Sequence, residues 1–194
     1  MKHLDFRFVL RDASRARHDR LDRMISVLDL GDAEDFARFA DVHAACFGAL
    51  GASDGASRAT RRLLSEMIAR LSDDLLTLKA RPPSARPATP ANLDPLAIDY
   101  VVEGSRLGSQ VLKRRWETST EPAVRAADRY FGLPADPLGW RATCAALSCL
   151  RVDGRRAARV TRDVDALFDL FADACRAALP GARGRDVGRP SNVQ

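Results

Sequence analysis

The chain has 194 residues, enough for one domain with a sizeable core and too few for a comparable second one. Hydrophobic residues make up 46% and charged residues 29%, an ordinary globular balance, and the formal net charge is +5. That charge does not point to nucleic acid: only Lys2, Lys79 and Lys113 are lysines, arginines lie beside aspartates in every segment, and no aromatic-interleaved basic strip is present. No apolar run approaches the roughly 18 residues of a membrane span. The opening MKHLDFRFVLRD becomes charged too early for a signal peptide, so the chain is expected to be cytoplasmic, with neither membrane nor nucleic acid among its partners. Cys46, Cys144, Cys149 and Cys175 form no CxxC pair and no zinc spacing, and their apolar contexts predict small buried side chains.

Apolar residues recur every three or four positions, with few β-branched runs, which predicts an all-α protein. The first helix is predicted from about Phe8 to Leu28, with Leu10, Ser14, Leu21, Ile25 and Leu28 near one face. Leu30-Gly31 stops it and Asp32 caps a second, whose stripe is Phe36, Phe39, Ala40, His43 and Phe47. A third spans about Ala56 to Leu78. RPPSARPATPAN, from Arg81 to Asn92, holds four prolines and must be a loop. A fourth helix runs from about Asp94 to Glu117, interrupted by Gly104 and Gly108, and a fifth from about Glu121 to Phe131. Leu138 to Leu150 and Gly154 to Leu179 complete seven helices in a single domain, residues 1–179, with a disordered tail at 180–194.

Three features rise above this helical background. His18, in LRDASRARHDRLD, shares a face with Ser14, Leu21 and Ile25, and Asp22 lies one turn on, able to take one ring N–H and fix the tautomer. Its spacing suits a metal ligand or a half-exposed surface histidine between Arg17 and Asp19. In YVVEGSRLGSQVLKRRW, Gly104 and Gly108 lie one turn apart inside a helix, where each costs about 1 kcal/mol relative to alanine. Close approach to a flat ligand, a kink and a small-residue helix-packing face all remain open. In GLPADPLGWRATCAAL a Pro/Gly turn starts a helix that Trp140 is expected to anchor in the core. His43, between Phe39 and Phe47, reads as a core histidine, and His3 as part of a fraying end.

Taken in order, LRDASRARHDRLD, RLSDDLLTL, YVVEGSRLGSQVL and GWRATCAAL resemble segments of the heme oxygenase family, particularly its bacterial biliverdin-producing branch. The likeness covers roughly Leu10 to Leu179. It implies a multi-helical fold with heme between the first helix and a Gly-kinked distal helix, His18 being the axial ligand of the heme iron. Gly104, Ser105 and Gly108 would form the distal catalytic face. Leu21, Asp22, Phe168 and Phe171 would join His18 around the heme, and Arg11, two turns before His18, would pair with a propionate.

The implied activity is oxidative cleavage of heme, both cofactor and substrate, to biliverdin, carbon monoxide and ferrous iron. It consumes O2 and electrons from an external reductant, a ferredoxin or flavoprotein reductase, since the chain carries no flavin or nicotinamide fingerprint. A bacterial phytochrome is a candidate recipient of the biliverdin. Two departures from the family pattern stand out. Ser109 replaces a glycine of GSxLGG, and Ser105 stands where some members carry a carboxylate that organises water. These keep open a heme-binding sensor or carrier on the same fold without turnover. A helical interaction protein without cofactor is the third class.

Overall fold

The computed structural model describes residues 5–81, 87–134 and 136–178. Among these are seven helices and no strand: α1 (Phe6–Ser26), α2 (Ala33–Gly51), α3 (Arg58–Thr77), α4 (Pro95–Glu117), α5 (Pro122–Ala126), α6 (Pro137–Ser148) and α7 (Arg155–Ala178). The all-α prediction is met. The expected tail, His3 and part of the proline loop fall outside the described residues. No described helix is long and apolar enough to cross a membrane.

The starts of the helices follow from local chemistry. Side chains of Asp5, Asp32, Ser57, Asp94 and Asp136 accept hydrogen bonds from amides in the first turn of α1, α2, α3, α4 and α6. Pro95 and Pro137 follow two of these caps, where a missing N–H costs nothing. Helix α2 is the central element, packed between α3 and α7, and is buried on all sides from Val42 to Leu50. Its Phe36 and Phe39 stack on Phe131 with ring centroids 5.6 and 5.8 Å apart. Cys46, Cys144 and Cys175 are buried as expected, whereas Cys149, at the C-cap of α6, is exposed.

Two predicted elements differ. Helix α5 ends at Ala126, short of the predicted Phe131, because the buried Asp74 carboxylate of α3 captures the next amides. The N–H groups of Arg129 and Tyr130 donate to it at 2.8 and 2.9 Å. Turned by those bonds, Tyr130 and Phe131 enter the core. Helix α4 is continuous through Gly104 and Gly108, so the glycines do not interrupt it.

Burial is the main influence raising the Asp74 carboxyl above its ordinary value, partly offset by the two amides it accepts. Replacing Asp74 with Ala should cost about 2–4 kcal/mol, since two buried amides lose a charged acceptor. Urea unfolding measures this, and a loss under about 0.5 kcal/mol would contradict the assignment.

Candidate functional site

Helices α1 and α4 both rest on α7 and α6, with no comparable packing of one against the other. Long side chains reach from α4 towards α1 near both ends. The Tyr100 hydroxyl of α4 faces Ser14 of α1, whose own hydroxyl donates to the Leu10 carbonyl at 2.9 Å. Fifteen residues along α4, the Arg115 guanidinium donates to the Ser26 carbonyl at 3.2 Å and also to that of Leu28.

At about 100° per residue, Tyr100, Gly104, Leu107, Gly108, Val111 and Arg115 fall on one face of α4. The stretch between the two links is therefore turned towards α1, and the gap between the two helices is taken as a candidate cleft. Leu107 is 42% and Val111 63% exposed there. On α1 the corresponding face carries Arg11, Ser14, His18, Leu21, Asp22 and Ile25.

A methyl group at Gly104 would make ordinary contact with Trp140 at 3.8 Å, and at Gly108 it would meet nothing within 4 Å. Helix packing therefore does not require either one. Gly139 differs: a Cβ there would sit 2.5 Å from a Glu103 carboxylate oxygen, so any larger residue would have to push that carboxylate aside. Trp140 was expected in the core. Instead it is half-buried, beside Gly104 and 5.6 Å from the Tyr100 ring. The motif did not disclose this because its neighbour, Gly104, is distant in sequence.

His18 lies on the α1 side, its side chain 54% exposed. Its Nδ1 is 3.1 Å from the Asp22 carboxylate and 3.7 Å from Asp19, and the bond to Asp22 is the main influence raising its pKa above the usual histidine value. That bond assigns the proton to Nδ1 in the neutral ring and leaves Nε2 with a free lone pair. Phe168 of α7 braces the ring edge-on at 5.6 Å. Nδ1 and the two carboxylates also lie within 4.8 Å of one another, all on exposed residues.

The other predicted residues divide. Arg11 is exposed on the same face, within electrostatic reach of Tyr100, its guanidinium near the Phe8 ring. Leu21 is buried and belongs to the core. Phe171 is not brought to His18: one turn from Phe168 it faces α2 and packs on His43 and Phe47. The Ser105 hydroxyl donates to the Val102 carbonyl of its own helix at 2.7 Å. Ser109 points away from the cleft face, its hydroxyl donating to Arg106 O at 2.8 Å and facing the buried Tyr130 hydroxyl.

An open groove of about 610 Å³ flanks another side of α1, between Val9, Ala13 and Arg17 and the α7 residues Ala158, Thr161 and Asp165. Its lining includes no histidine or cysteine, so it offers no strong ligand for iron.

Of the two described histidines, only His18 can meet a ligand. His43 is 6% exposed, Nδ1 lies 2.9 Å from the Phe39 carbonyl, and burial lowers its pKa to about 4. The unfolded chain, near 6.5, takes up this proton first, so stability is complete above that pH and is lost as pH falls towards 4. The loss should reach about 3 kcal/mol and be missing in His43→Leu, as read from urea midpoints between pH 7 and 4. Equal acid sensitivity of the two proteins would refute it. No protein-family model matches the chain, and no curated protein matches it.

Proposed function

We propose that this protein binds heme through His18 and degrades it oxidatively, as the resemblance of its motifs to heme oxygenases implies. The observation that carries the reading is the cleft itself. His18, its tautomer fixed by Asp22, would line the α1 side, and the α4 side carries Gly108, where a side chain would meet nothing. Heme bound here would be the substrate and would supply the iron that activates O2, yielding biliverdin, carbon monoxide and ferrous iron with electrons from an external donor.

The roles of the chain's own groups follow from where they sit. Nε2 of His18 would hold the iron, while Asp22 retains the Nδ1 proton and makes the imidazole a stronger donor. Arg11 and the Tyr100 hydroxyl, at one end of the cleft, suit a propionate. Bare backbone at Gly108 permits close approach to the macrocycle, Gly104 being covered by Trp140, and Leu107 and Val111 supply apolar cover against water.

One observation favours the second reading, a heme-binding sensor or carrier without turnover. Ser105 is tied to its own helix, and the nearby Glu103 is engaged by Arg106 at 3.1 Å. Neither is a free acid on the cleft face of α4 that could relay a proton.

Hemin added to the purified protein should give a Soret shift, and reductant with O2 should then give a green product. No shift would reject both heme readings, and a persistent ferrous complex would select the carrier. His18→Ala should abolish the native ligation spectrum. Since a protonated imidazole cannot ligate, hemin affinity should rise with pH up to the raised pKa of His18 and then level off. Asp22→Asn should bring the plateau to lower pH, and an unchanged profile would count against the pair.

Gly108→Ala should leave the heme-free protein as stable, or up to about 1 kcal/mol more so, because it removes a helix-interior glycine and meets no neighbour. The same change should weaken hemin binding about tenfold or more. Equal hemin affinity with and without the methyl group would place the ligand elsewhere.

A further inference from the structure

The two ends of the cleft are unlike. Towards the N-terminal end of α4, Trp140 lies against Gly104 and Tyr100, and Tyr100 reaches Ser14 on α1. Towards the other end, the space at Gly108 is empty and Leu107 and Val111 are exposed.

Trp140 is also held firmly. Asp136 accepts from the Leu138 amide at 2.9 Å, capping α6 one turn before the indole. Gly139 fits against Glu103, which Arg106 holds at 3.1 Å, and Arg106 donates to the Pro134 carbonyl at 3.0 Å. Pro134 and the first turn of α6 are thus both tied to α4. A large flat side chain so fixed against Gly104 and Tyr100 occupies this end of the α4 face.

We infer that Trp140 is the positioning residue that sets how far a planar tetrapyrrole moves along α4, and so which edge of the macrocycle lies beside Gly108. The inference rests on the heme-binding reading. It assigns Trp140 to seating, which decides the position of ring attack, and assigns ligation to His18 alone. A rigid indole suits this task because it meets an aromatic macrocycle by edge or face contact, worth about 0.5–1.5 kcal/mol beyond area burial.

The test uses the full chain with hemin and cyanide, read by the proton NMR resonances of the heme methyl groups, which report seating without turnover. The native protein should show one dominant set. Trp140→Ala should show additional or displaced sets while keeping the His18-dependent Soret band, and should release heme up to about tenfold faster. Trp140→Phe should restore the single set. If Trp140→Ala loses its helical circular dichroism, Trp140→Leu, which keeps apolar bulk without the aromatic ring, takes its place in the comparison. Native methyl resonances in the folded Ala or Leu variant overturn the role of Trp140 while leaving heme binding intact. Absence of a Soret shift in the native protein overturns the heme reading, and this inference with it.

Discussion

Most of what is distinctive in this molecule depends on α1 and α4 being held beside each other without packing together. Tyr100 faces Ser14 and Arg115 bonds the end of α1, and between them this face of α4 is occupied by two glycines and two exposed aliphatic side chains. Apolar surface left open in this way forgoes stabilisation of about 25 cal/mol per Å² that burial would provide. The glycines add a helix-propensity cost that no packing contact in this structure recovers. A ligand of the kind proposed would offset both costs on this face.

Two histidines show how environment separates side chains of one kind. His43 sits among Phe39, Phe47, Tyr130 and Phe171, where burial disfavours the charged ring and the Phe39 carbonyl takes its one polar contact. His18 lies half-exposed with carboxylates at Nδ1, so its proton is held more tightly while its other nitrogen stays available. One ring completes the core and the other can meet a ligand.

The motifs from distant parts of the chain converge for packing reasons. Glu103 lies against Gly139, and Gly104 lies against Trp140, so YVVEGSRLG and GWRATCAAL describe one contact between α4 and α6. Asp94 joins the start of α4 to α7, accepting from Arg156 at 3.1 and 3.2 Å while its own amide donates to Asp163 at 2.8 Å. These ties fix α4 against α6 and α7 and leave its remaining face to the cleft.

The helical class, the order of the helices, the Asp32 cap and the pairing of His18 with Asp22 were legible in the sequence, because periodicity, N-caps and i,i+4 contacts are local. Which long-range neighbours those helices meet was not. The early end of α5 depends on the Asp74 carboxylate, more than fifty residues away in the chain. Phe171 and Phe168, alike on paper, part because one faces α2 and the other faces His18. Ser109, a departure within the distal motif, turns towards Tyr130 rather than into the cleft. The openness at Gly108 is likewise a property of the tertiary arrangement, since only the placement of the other helices determines what a missing side chain would have touched.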